Sequence, residues 1–161
     1  MYDYVTQELP TLIEKHFPVL KDKRSITGHS MGGHGAFICA LKNPGMYESV
    51  SAFAPISHPT ICGWGEGCFS AYLGDDRETW KAYDATELVK AGAEVPPLLT
   101  DQGTGDEFLA EQLYPTDLRA ACEARGIEIT SRMQADYDHS YHFIATFIGE
   151  HLAFHAQHLK Q

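Results

Sequence analysis

The chain has 161 residues, enough for one domain with a core of its own. At 43% apolar and 21% charged residues its composition is that of a globular protein, and no run approaches the roughly 18 apolar residues of a membrane span. A net charge of -10 opposes nucleic-acid binding, which depends on cations neutralising phosphates, and Met1 to Glu8 lacks the basic and apolar regions of a secretory signal, so a cytoplasmic setting is expected.

In chain order, Val5, Leu9, Leu12, Ile13 and Phe17 recur at helical spacing and predict an amphipathic helix over residues 2–17, perturbed at Pro10 and ended by Phe17-Pro18. Ser25-Ile-Thr27 reads as a short strand. It runs into Gly28-His29-Ser30-Met31-Gly32, which fits the G-x-S-x-G nucleophile elbow, a sharp strand-to-helix turn that holds its serine exposed and asks for glycine at both flanks. From Gly32 to Lys42, Ala36, Phe37, Ala40 and Leu41 suit a buried helix stopped at Asn43-Pro44. The motif thus has the strand and helix it requires.

Tyr47 to Ala54 is a second strand. Residues 56–83, with glycines, Trp64, Cys62 and Cys68, read as an irregular excursion of the kind that shapes a pocket. Thr79 to Val89 holds a short helix, and Val95-Pro-Pro-Leu-Leu-Thr-Asp101 is a third strand entered through prolines. Pro115 to Arg125 is a helix with Gly126 at its C-cap, Ile127 to Met133 alternates as a fourth strand, and Asp136 to Ser140 is a polar turn. The last helix puts Phe143, Ile144, Phe147, Ile148 and Leu152 on its buried side. Strands alternating with helices define an α/β class with a mostly parallel sheet.

The four cysteines, Cys39, Cys62, Cys68 and Cys122, show no paired spacing and read as free thiols. His151, His155 and His158 share one helical face without a carboxylate or cysteine to complete a metal site, so they read as a solvated face and neither a metal nor a cofactor is expected.

A serine hydroxyl needs a histidine to take its proton and a carboxylate to orient that histidine, in the order Ser, acid, His along the chain. After the third strand, Asp106 is the candidate acid, with Asp101 and Glu107 as rivals. After the fourth, His139 lies in the turn and is the candidate base, whereas His142 already sits on the terminal helix as a packed or hydrogen-bonded residue. His29 and His34 flank the serine and can line the site, but the order rule excludes them as the base. Trp64 is a further candidate for the substrate wall.

Four stretches together resemble the S-formylglutathione hydrolase, or esterase D, family: Gly28-His-Ser-Met-Gly-Gly-His-Gly35, Ala71-Tyr-Leu-Gly74, Asp101-Gln-Gly103 with Asp106-x-Phe-Leu109, and Tyr137-Asp-His-Ser-Tyr-His-Phe-Ile-Ala-Thr-Phe147. The resemblance covers nearly the whole chain. It implies an α/β-hydrolase fold and a serine thioesterase that converts S-formylglutathione to glutathione and formate, with Ser30 as nucleophile, Asp106 as acid, His139 as base and the Met31 backbone N–H as an oxyanion-hole donor. A small-acyl carboxylesterase of the same mechanism is the alternative.

Members of that family have well over a hundred residues before the elbow, and only 27 precede Gly28. Residues 1–161 therefore read as a partial α/β-hydrolase domain, its carboxyl-terminal half, lacking the amino-terminal strands and the loop with the second oxyanion donor. Loss of that donor implies a chain that is weakly active or inactive, by a factor on the order of a hundred to a thousand. The elbow strand is then an apolar edge, open to a homo-oligomer or to pairing with the amino-terminal half.

Overall fold

The computed structural model describes residues 1–160. Four parallel strands, β1 (Ile26–His29), β2 (Val50–Phe53), β3 (Leu98–Gly103) and β4 (Thr130–Gln134), form one sheet in sequential order. Between and around them lie α1 (Leu9–His16), α2 (Met31–Leu41), α3 (Gly63–Leu73), α4 (Arg77–Trp80), α5 (Ala85–Lys90), α6 (Pro115–Ala124) and α7 (Tyr141–Leu159).

Register explains the two faces. Val50 stands beside Ile26 and Leu98, and with Ala52 it points to one face, where Phe37 and Ala40 of α2, Val89 of α5 and Leu118 and Cys122 of α6 complete the main core. One residue along, His29, Phe53, Asp101 and Arg132 stand in a row across all four strands and point the other way, toward α7. There Phe53 and Phe143 of α7 meet edge to face with ring centroids 5.6 Å apart.

The predicted elements all exist, with shifts that have local causes. The first helix starts as a π-helical turn, Tyr4–Glu8, before α1, and the perturbation falls at Pro10, which cannot donate to the preceding turn. No residue of α1 is fully buried, and its apolar side borders a groove of about 300 Å³ floored by Ile26 and Tyr47. β3 begins at Leu98 instead of Val95 because Pro96 and Pro97 have no N–H for the ladder. β4 begins at Thr130, β1 reaches His29, and β1 is an edge strand of the described sheet, as expected.

Two readings are corrected. Residues 56–83 are largely helical, not irregular: a 3₁₀ turn over Pro59–Ile61, then α3, α4 and a second 3₁₀ turn over Lys81–Tyr83. Gly63, Gly65 and Gly67 hide α3 from propensity, but packing overrides it, since a side chain at Gly65 would lie 1.9 Å from the Pro59 carbonyl oxygen. Buried Trp80 anchors the far end by donating Nε1–H to the Gly74 carbonyl at 2.8 Å.

The phase of α7 is also corrected. His151 and His155, read as solvated, are buried, and Leu152, read as buried, is 59% exposed. The stripe that faces the sheet is Phe143, Phe147, His151 and His155, because the strand residues beneath its second half are polar.

Candidate active site

The elbow is built as its motif predicts, with one difference between its glycines. A side chain at Gly28 would lie 2.1 Å from the Gly32 carbonyl oxygen, so the turn closes only over glycine, whereas a Cβ at Gly32 meets nothing within 4 Å. Ser30 takes φ 56° and ψ -119°, a region that costs a non-glycine residue about 1–3 kcal/mol. Its backbone is held there: the N–H donates to Phe53 O at 2.9 Å, and its carbonyl accepts from His34 N at 3.0 Å. Met31 opens α2, where first-turn N–H groups have no intrahelical acceptor.

The candidate acid and base arrive on the loops after β3 and β4, and these loops touch. A Cβ at Gly103 would lie 2.1 Å from the Tyr137 carbonyl oxygen, so this approach also requires glycine. Across it His139 Nδ1 lies 2.6 Å from Asp106 Oδ2. A carboxylate only accepts, so Nδ1 carries the proton and Nε2 of the neutral ring is left as the acceptor. Asp106 is fixed from two more directions, by Phe108 N–H to Oδ1 at 2.9 Å and Gln102 Nε2 to Oδ2 at 3.0 Å. Its side chain is fully buried while that of His139 retains 16% exposure, so the pair has one closed end and one open end.

Rings enclose the base. His29 lies 4.5 Å from it between centroids, Phe108 stands edge-on at 5.0 Å, and Trp64 packs on Phe108 at 4.7 Å. Burial first, then the neighbouring His139, holds His29 below the ordinary histidine range, with Asp106 acting weakly in the other direction. Ser30 and Trp64 also line a cavity of about 500 Å³ with Met31, His34, Ile56 and Tyr72, and its lining is mostly apolar. His34 Nε2–H donates to the Tyr83 carbonyl oxygen over 2.8 Å, and burial lowers its pKa. His29 is not among the cavity's lining residues; it faces the base. Glu107 and His142 are exposed and join neither group.

Asp101, the other rival acid, belongs to a second Asp–His–Ser row that sequence reading missed. His151 Nε2 donates to Asp101 Oδ2 at 3.1 Å, His151 Nδ1 lies 2.8 Å from Ser51 Oγ, and Ser51 Oγ lies 2.8 Å from His155 Nε2. His155 Nδ1 continues to Ser49 Oγ at 2.8 Å, and Ser49 to Ser25 at 2.7 Å. Arg132 binds Asp101 with both Nε, at 2.7 Å, and Nη2, while Gln134 adds a bond at 3.1 Å. Burial raises the Asp101 pKa, but the hydrogen bonds from His151, Arg132 and Gln134 outweigh it and hold the carboxyl at about 2. His155 is pushed down to about 4 by burial and then by His151 and His158. Two sequence signals mark this row: histidines four apart on a helix, and Ser49 and Ser51 two apart where the chain enters β2.

A parallel sheet with helices on both faces, a strained serine at a strand-to-helix turn and an Asp–His pair on later strand ends define an α/β-hydrolase fold. The model of a family described as "Putative esterase" matches residues 1–154, and the chain belongs to that family. It is 59% identical to the S-formylglutathione hydrolase of Mus musculus and 57% identical to that of Rattus norvegicus, in both cases over 99% of this chain and 57% of the relative. A solved S-formylglutathione hydrolase structure from Agrobacterium tumefaciens superposes with a TM-score of 0.95 at 50% identity, again covering 99% of this chain and 57% of the other. The chain thus spans somewhat over half the length of the relatives it matches, and the resemblance read from its motifs is borne out.

Proposed function

We propose that the chain carries the reacting groups of a serine thioesterase acting on S-formylglutathione. The observation that carries this reading is the 2.6 Å contact between His139 Nδ1 and Asp106, which leaves Nε2 free on the side of the ring open to solvent. Ser30 attacks the formyl carbonyl as His139 Nε2 takes its proton. Charge developing on the carbonyl oxygen meets the Met31 N–H, which has the helix dipole of α2 behind it. The imidazolium is stabilised by Asp106 and returns its proton to the departing glutathione thiolate, leaving a formyl ester on Ser30. Water, activated by His139 in the same way, then releases formate. All three reacting side chains come from this chain, no metal or cofactor enters the scheme, and four free thiols suit the reducing cytoplasm.

The relatives' shared name supports the thioester as substrate. The apolar lining of the Ser30 cavity favours the second reading, an esterase for small acyl groups on larger apolar alcohols, with Trp64 as part of the wall. The described residues form part of one α/β-hydrolase domain, and the outer edge of β1 is where further strands or a second chain pair. Rates on S-formylglutathione and on an aryl acetate separate the two chemistries. The thioester reading expects S-formylglutathione to be preferred in kcat/KM, and a ten-fold or greater preference for the acetate overturns it.

A further inference from the structure

His29 occupies the variable position of the elbow motif, where a contact to substrate is the ordinary expectation. Its ring instead turns away from the cavity and lies against the His139 ring, with centroids 4.5 Å apart and planes 43° apart. Tyr141, at the start of α7, lies beyond it at 6.2 Å. The Nε2 atom of His29 is buried and has no hydrogen-bond partner. A buried, unpaired polar atom is disfavoured, so an apolar ring here would be the more stable filling unless the imidazole does something a hydrocarbon does less well.

His139 has one hydrogen bond to fix it, at Nδ1, and that bond leaves the ring free to rock about the Nδ1–Asp106 direction. Phe108 and His29 both pack against this ring, with centroids 5.0 and 4.5 Å away, and restrict the motion. We propose that His29 is a positioning residue that, together with Phe108, keeps His139 Nε2 aimed at Ser30. The proposal rests on the role given above to His139. The titratable groups that face His29 are His139 and Asp106, on the two loops, and Tyr141 on α7. Kept neutral by burial, the His29 ring offers a polarisable face to the imidazolium that forms beside it, whereas a charged His29 would repel that imidazolium.

The test compares wild type with His29→Ala and His29→Phe by turnover and by the downfield proton resonance of His139 Nδ1–H, which reports the Asp106 bond without any need for catalysis. Removing this ring in His29→Ala is expected to lower kcat by about ten- to a hundred-fold with KM within about two-fold, and to broaden or abolish the resonance. His29→Phe is expected to restore the resonance and bring kcat back to within about five-fold of wild type. The proposal is overturned if His29→Ala, folded to the same thermal stability, keeps both its kcat and its resonance, or if His29→Phe is no better than His29→Ala. A wild type with no turnover and no reaction with a fluorophosphonate overturns the thioesterase reading instead, and the resonance in the two variants still decides whether His29 holds the ring.

Discussion

Two groups of Asp, His and Ser lie at different levels of this molecule in two rows, and both follow the chain order serine, acid, histidine, though in the first only the Asp–His link is made. Asp106, His139 and Ser30 sit at the strand ends, and Asp101, His151 and Ser51 lie one layer down under α7. By hydrogen bonding alone the second row is the more complete, since both of its links are closed, at 3.1 and 2.8 Å. That completeness disqualifies it. Asp101, His151 and Ser51 have no exposure, every reactive lone pair is engaged, and Arg132 neutralises the carboxylate. In the first row the histidine retains an open Nε2, and its serine is held in a strained turn that lines a cavity. Access and an unspent valence, and not the triad of residue types, separate a reactive row from a structural one.

Matched substitutions break this comparison. The largest effect is expected for Asp106→Asn, which removes the acceptor that selects the reactive tautomer of His139. It lowers kcat about ten-thousand-fold, or about 5 kcal/mol in barrier, at nearly unchanged melting temperature, as steady-state kinetics and thermal denaturation would show. Asp101→Leu does the reverse. It strands His151 and the inner side of Arg132 and costs about 3 kcal/mol of stability in urea titration, while Ser30 keeps its reactivity in the folded fraction.

The third test is acidification. His155 has a folded pKa of about 4, below the ordinary 6.5 that it regains on unfolding, so the unfolded chain binds its proton first. Stability from this residue is present above pH 6.5 and is lost as pH falls from 6.5 toward 4, by about 3 kcal/mol. Asp101 adds a second loss from its ordinary pKa near 4 down to about 2. His155→Gln should flatten stability between pH 6.5 and 4, and an unaltered slope contradicts burial as its source. The smallest effect is expected for Gln102→Leu. Asp106 loses one of three donors, so kcat falls about ten-fold, while removal of the unpaired buried Gln102 Oε1 leaves the melting temperature equal or higher.

Much of the proposed reactive row was legible because the chemistry proposed for it requires unusual local sequence. Gly28 must be glycine to clear the Gly32 carbonyl, and the serine, acid and base follow a fixed order on loops after successive strands. The four strands were legible from apolar runs and turn residues, with ends displaced where Pro96 and Pro97 removed ladder donors. What stayed hidden was tertiary. α3 carries three glycines and forms because Gly65 packs against Pro59, which no helix propensity records. The buried row was misread because histidine and serine are judged polar one at a time, whereas here they satisfy one another across α7, β1 and β2. Leu152 was placed inside by the same error of phase, since the helix turns its histidines and not its leucine to the sheet.

The distinction between the rows is tested most directly by reacting the intact chain with a fluorophosphonate and mapping the modified residue by mass spectrometry. Phosphonate is expected on Ser30 and none on Ser51, with modification lost in His139→Ala and kept in the folded fraction of His151→Ala. Modification at another serine, or at Ser30 with no dependence on His139, would contradict it.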